Sequence, residues 1–223
     1  MSLILNDLDQ TLHDKIHKSM MEKDPLNLLK NPRLQILDKL NFNIEGVVAD
    51  VGCGNGYFSI GLAKKFNNIS RIDCIEASKL AVKELIPRNI KFYNLESRIK
   101  PVYGSYDNLD SEMYDSIFAM GALHHSQNLN KTLGSIAKAL KPNGMLIAQE
   151  PTMSDTTTHK EYQFKYNIIE ERFGIKIRNG DRFDRFFRES EYKYWLIMNG
   201  FDILLWNDFN AHIDKPSKFK SVK

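Results

Sequence analysis

Gly52, Gly54 and Gly56 follow the short apolar run Val47-Val48-Ala49-Asp50-Val51 and precede an amphipathic stretch that opens at Tyr57. Glycine at such a passage lets the backbone take positive φ and lets a ligand approach with no Cβ in the way. More than one kind of cofactor is held like this, so the spacing has to decide. The dinucleotide fingerprint GxGxxG would put its third glycine at position 57, which is Tyr57. What stands instead is Asp50-Val51-Gly52-Cys53-Gly54-Asn55-Gly56, and its leading acid adds negative charge where a pyrophosphate would lie. A ligand with cationic groups meets no such objection. Further along, Glu76 closes the run Ile72–Glu76, and His124 and His125 stand shortly after the run Tyr114–Met120. Imidazole accepts a proton near neutral pH, and holding the loop by hydrogen bonds is at least as good a reading for each histidine as acting as a base.

The elements that must position these residues alternate. Short apolar runs (VVADV, RIDCIEA, KPVYG, YDSIFAM, MLIAQE) are separated by helical stretches at Tyr57, from Lys79 and near Leu129 to Leu140. Strands apolar on both faces and divided by helices predict an α/β fold with a doubly wound, mostly parallel sheet, because each parallel crossover needs a helix. Pro142-Asn143-Gly144 reads as a turn before the last of these runs. Ahead of the alternation, residues 1–40 read as a helical lead-in broken by Pro25 and Pro32, with apolar positions Leu8, Leu12, Ile16, Leu34, Leu37 and Leu40. The domain proper spans 41–223. Within it, residues 152–190 break the rhythm with aromatic and charged residues such as Tyr162, Phe173, Arg178, Arg182 and Phe186, and read as a helical cap inserted over the carboxyl edge of the sheet. A helix over SEYKYWLIM, a stop at Asn199-Gly200 and a final strand pair returning to the sheet complete the expected fold.

The charge balance, 31 Lys and Arg against 28 Asp and Glu, does not supply the dense basic surface that a nucleic-acid backbone demands, so such a partner is allowed but not favoured. Cys53 and Cys74 lie at or beside buried strand ends and suit apolar packing in a reducing compartment better than a disulfide. The opening residues have no basic front or cleavage site and no apolar run reaches spanning length, so the expected location is the cytoplasm, away from membranes. His13, His17, His159 and His212 have no interpretable spacing, and without a helix-spaced histidine pair or cysteine set no metal is expected.

Asp50–Gly56 resembles the first motif of the class I S-adenosylmethionine-dependent methyltransferases, and the likeness extends over roughly residues 30 to 206. Glu76 is similar to the family's acid that accepts hydrogen bonds from both ribose hydroxyls, a task for which a carboxylate has two acceptor oxygens. The resemblance implies a Rossmann-like sheet of seven strands and S-adenosyl-L-methionine as cofactor, with S-adenosyl-L-homocysteine as product. It places Asp50, Gly52, Cys53, Gly54, Gly56, Glu76, Ala77, Ser105, Tyr106, Met120 and Gly121 around that cofactor, and His124 and His125 on the methyl-transfer side. One departure stands out: where the family has an acid after the glycine of its third strand to bind the adenine amino group, this chain has Ser105, then Tyr106 and Asp107. The run Ala119-Met120-Gly121-Ala122 lacks the Asn/Asp-Pro-Pro-aromatic motif of nucleobase-amine methylation, and no Pro-Cys nucleophile is present. The implied acceptor is therefore a small molecule, of the kind handled by quinone-precursor and related methyltransferases. The competing readings are an RNA-modifying methyltransferase and a partner protein that binds the cofactor without turnover.

Overall fold

A computed structural model describes residues 14, 17, 18, 20, 21, 23–39, 43–107, 109–158, 160, 187–209 and 219–221. Two 3-10 helices (Pro25–Lys30 and Pro32–Lys39) lead in, each opened by one of the two prolines read as breaks. Proline suits that first position, where its missing N–H is no loss. There follow β1 (Gly46–Val51), α1 (Tyr57–Lys65), β2 (Ile69–Glu76), a π-helical turn (Ala81–Leu85) continuing into α2 (Ile86–Phe92), β3 (Ile99–Tyr103) and β4 (Tyr114–Met120). A short 3-10 turn (Leu123–His125), α3 (Leu129–Ala139), β5 (Leu140–Gln149), α4 (Glu189–Met198), β6 (Asn207–Phe209) and β7 (Phe219–Ser221) complete the described chain.

The sheet order is β3-β2-β1-β4-β5, with every neighbour parallel. Side chains alternate between its faces, as the two-residue period of a strand requires. Val48, Ile72, Cys74 and Phe118 pack with Phe58, Ile60, Leu62, Leu85 and Ile86 beneath the lead-in, α1 and α2. Ala49, Val51, Ile75, Ile117 and Ala119 pack on the other side against Leu129, Leu133 and Ile136 of α3 and Tyr192 of α4. α3 starts where the Asn128 side chain accepts the Lys131 N–H at 3.0 Å, and its buried residues recur at helical spacing. The turn read at Pro142-Asn143-Gly144 is an excursion of β5: Tyr114 pairs with Leu140 and Ser116 with Met145, and Asn143 takes φ 64°.

The expected sheet of seven strands is not what the described residues form. Five strands make the sheet, and β6 pairs antiparallel with β7 in a separate two-stranded sheet. The final strand pair is expected after Asn199-Gly200; there, residues 201–206 form no ladder among the described residues and leave Leu204 and Leu205 84% and 67% exposed. The aromatic and basic residues Tyr162 to Phe186 of the expected cap, with His159, His212, His13, Leu8, Leu12, Ile16 and Leu40, lie outside the described residues. The two ends of the insertion do meet: Met153 donates to the Phe187 carbonyl and accepts from the Glu189 N–H, both at 3.1 Å.

Arg98 ties the first crossover to the sheet. Its guanidinium donates to the carbonyls of Ala63, Phe66 (2.7 Å) and Ile69 (3.0 Å), at the end of α1 and the start of β2. Ala63 lies in the last turn of α1, where a helix leaves its acceptors unpaired. Hydrogen bonds to a charged group contribute about 1.5–3 kcal/mol each. Arg98→Met, which keeps the aliphatic stem, is expected to lower unfolding stability by at least about 2 kcal/mol in urea titration without changing the slope of the transition.

Candidate functional site

The strand order turns round at β1, so the loops leaving β1 and β4 diverge to opposite faces and open a crevice at the carboxyl edge of the sheet. Gly52 and Gly54 hold the first loop at φ 69° and 59°. They do different work. A Cβ on Gly52 would stand 2.7 Å from the Ala122 Cβ, so this glycine lets the two loops touch; a Cβ on Gly54 would meet nothing within 4 Å, so this one faces open space.

The loop is fixed from β2. Gly52 and Cys53 donate to the Ile75 carbonyl (2.9 and 3.1 Å), and Gly54 donates to Glu76 Oε2 (2.9 Å). The other oxygen, Oε1, accepts the Ser78 N–H at 3.0 Å. Each carboxylate oxygen of the buried Glu76 thus has one backbone donor and retains a second lone pair. Ala77, Gly104 and Ser105 stand beside it at one end of a cavity of about 370 Å³ that continues to Arg71, Asp73 and Lys100.

Asp50 and Cys53 point inward rather than into the open crevice. Asp50, fully buried, accepts a 2.6 Å hydrogen bond from Ser59 Oγ in the first turn of α1. Burial pushes its carboxyl from 3.8 up to about 7, held back by Ser59 and raised a little further by Glu76. The Cys53 thiol is pushed up by burial and by its neighbour Cys74. Both cysteines are free, as their apolar setting suggested.

The departure at the third strand is not made good by the next acid. Asp107 turns to α3, accepting from Thr132 Oγ1 at 3.0 Å with Lys131 Nζ at 3.7 Å, while Ser105 Oγ accepts the Asp107 N–H at 3.3 Å. Tyr106 is half-buried, and burial together with Asp107, Glu150 and Glu76 raises its phenol. Across the crevice, Met120 is buried and Gly121 takes φ 74°. His124 is buried and His125 exposed, their rings 4.0 Å apart.

Two side chains at this edge escaped the sequence reading. Glu150, next after β5, accepts the N–H groups of Ala122 and Leu123 (both 2.8 Å) and lies 2.8 Å from His124 Nδ1. It obeys the rule that singled out Glu76, an acid closing a strand, and could have been found by it. Arg33 reaches in from the lead-in, its Nη1 3.5 Å from the Met120 carbonyl and 3.0 Å from where a Gly121 Cβ would be. The buried Tyr57 hydroxyl, with no hydrogen-bond partner of normal geometry, lies beside it. Nothing in the spacing of the lead-in marks Arg33. Among the described residues no group of three or more His, Cys, Asp or Glu side chains is placed to hold a metal ion.

Asp50 gives stability a pH dependence whose sign is fixed. Its folded pKa lies above its unfolded value, so the stabilisation is complete below about pH 4 and is lost as the pH rises to about 7, by an amount on the order of 4 kcal/mol. Asp50→Asn keeps an acceptor for Ser59 and removes the titration. Thermal melts between pH 4 and 7 are expected to fall less steeply for this variant than for the parent chain; equal slopes would assign the dependence to other groups.

The sequence profile of the methyltransferase-domain family matches residues 49–146, from within β1 to within β5. The ubiquinone biosynthesis O-methyltransferase of Rickettsia akari is 28% identical over 149 residues, 65% of this chain and 54% of that protein, so the chain spans about half its relative's length. The YcgJ protein from Bacillus subtilis superposes with a TM-score of 0.63 at 18% identity, covering 81% of this chain and 74% of that one. Geranyl diphosphate C-methyltransferase from Streptomyces coelicolor, solved with Mg2+, geranyl diphosphate and S-adenosyl-L-homocysteine, gives 0.62 at 13% identity, covering 80% and 61%. At such identities the two structures speak for the fold alone. Profile, fold and glycine loop converge: residues 49–146 match a methyltransferase domain, and the chain is similar to the class I S-adenosylmethionine-dependent methyltransferases.

Proposed function

We propose that this chain transfers a methyl group from S-adenosyl-L-methionine to a hydroxyl of a small-molecule acceptor, releasing S-adenosyl-L-homocysteine. The observation that carries the reading is the pair formed by Gly54 and Glu76: open space above the glycine, and beside it a carboxylate with one lone pair left on each oxygen. Two vicinal ribose hydroxyls match that acceptor set. The cofactor supplies a methyl group activated on a cationic sulfonium. The residues do the rest. Gly52 and Gly56 shape the loop, Ala77, Ser105 and Tyr106 flank the base, and Met120 and Gly121 border the sulfur side. Arg33 and the Tyr57 hydroxyl beside it suit the carboxylate of the amino-acid end, and the acids at this edge favour a ligand with positive charge.

The acceptor side lies beyond Gly121, where His124 and His125 are the candidates for taking the hydroxyl proton. Aligning that oxygen with the methyl group supplies much of the rate in an in-line displacement. The O-methyltransferase relatives favour oxygen as the atom methylated. We place the lead-in at 1–40 and the catalytic domain at 41–223, with 152–190 as a cap on the acceptor side, and we place the protein in the cytoplasm. Its described helices include none long and apolar enough to cross a membrane.

Labelled S-adenosylmethionine offered with a panel of phenols and catechols tests the reaction: labelled methyl ether is expected, and transfer to RNA alone would replace the reading. Calorimetry tests the residues. Arg33→Gln is expected to weaken S-adenosylhomocysteine about tenfold and leave methylthioadenosine, which lacks the carboxylate, within twofold. Glu76→Ala is expected to weaken both about tenfold, because both carry the ribose. Equal weakening of the two ligands by Arg33→Gln would remove that residue from the carboxylate.

A further inference from the structure

Glu150 stands one residue past β5, with its side chain 5% exposed, and its two oxygens meet four nitrogens of a different loop. Oε1 accepts from the Ala122 and Leu123 N–H groups at 2.8 Å; Oε2 accepts from the His124 N–H at 3.2 Å and lies 2.8 Å from His124 Nδ1. Three backbone donors alone would make this a loop clamp. The fourth contact adds chemistry, because a carboxylate only accepts: the imidazole hydrogen sits on Nδ1, and Nε2 carries the lone pair.

We infer that Glu150 is a positioning residue for methyl transfer, fixing His124 in the tautomer whose Nε2 takes the proton of the acceptor hydroxyl. The inference rests on the proposed reaction. His124 Nε2 takes the hydroxyl proton as the acceptor oxygen bonds to the methyl carbon and the electron pair of the carbon–sulfur bond returns to sulfur. The imidazolium so formed keeps its Nδ1–H on Glu150, which offsets the new positive charge. The phenols around the pair do not compete for this titration near neutrality. Tyr106, from the loop after β3, and Tyr192, from α4, are both raised by burial, with the Glu150 charge adding to it. Arg33, from the lead-in, reaches the Met120 carbonyl and Gly121. His125, its ring 4.0 Å from that of His124, is the other imidazole of the turn.

Glu150→Gln keeps two of the three clamp contacts and reverses the contact to the ring. The amide oxygen can still accept from Ala122 and Leu123, while the His124 N–H loses its acceptor; the amide nitrogen donates, so Nδ1 must become the acceptor and the hydrogen moves to Nε2. The test is nitrogen-15 NMR of histidine-labelled full-length protein, with His124→Gln for assignment, together with the pH dependence of catechol methylation. The parent chain is expected to carry the His124 hydrogen on Nδ1 and Glu150→Gln to carry it on Nε2. The variant is further expected to lose about 100-fold in kcat. Its KM for S-adenosylmethionine should stay within threefold, and the acid limb of its pH profile should vanish. A parent chain with the hydrogen on Nε2, whatever the variant's stability, overturns the inference. So does a variant whose tautomer and pH profile match the parent's and which loses only stability. A parent chain that methylates no phenol or catechol removes the proposed function, while the parent tautomer still decides what Glu150 does to His124.

Discussion

Loops that leave parallel strands carry N–H groups with no ladder to donate to, and buried donors left unpaired cost about 1–3 kcal/mol each. At this sheet edge two buried carboxylates accept them. Glu76 at the end of β2 takes the Gly54 N–H from the loop after β1, and Glu150 just past β5 takes those of Ala122, Leu123 and His124 from the loop after β4. Each acid stands on the outer neighbour of the strand whose loop it holds. The crevice at the turning point of the strand order is therefore pinned from both flanks, and its middle is closed where Gly52 lets one loop rest on Ala122 of the other.

The acids at this edge differ in what surrounds them, and their roles follow. Asp50 is buried against Ser59, where the absence of water drives its carboxyl up to about 7, so it supports the loop from beneath. Glu76 has backbone partners on both oxygens and borders open space. Glu150 is bound to three N–H groups and an imidazole, which couples loop geometry to the state of His124. Arg33 enters from the lead-in, so the edge of the sheet is completed by residues that precede the sheet in the chain.

The sheet was legible because burial on both faces leaves a plain trace: VVADV, IDCIE and YDSIFAM are mostly apolar, and the glycines fall where the first strand must give way to a helix. The same logic expected a final strand pair in the sheet, and the apolar residues of 201–206 join no ladder among the described residues. Period and composition report that a segment can be buried, not which neighbour it pairs with. Side-chain direction is equally silent in the sequence. Asp107 follows closely after Ser105 in the chain, yet it turns to Thr132; Cys53 and Asp50 sit in the glycine motif and point into the core. Arg33 is separated from the loops it meets by the whole of β1 to β4, so only the fold could show it.

The central claim is that this edge holds a cationic adenosyl cofactor rather than a dinucleotide. Isothermal titration of the intact chain with S-adenosylhomocysteine and, separately, with NAD decides it most directly. Saturable binding of S-adenosylhomocysteine with no measurable heat from NAD is the predicted result; tight NAD binding with none for the adenosyl compound would contradict the account.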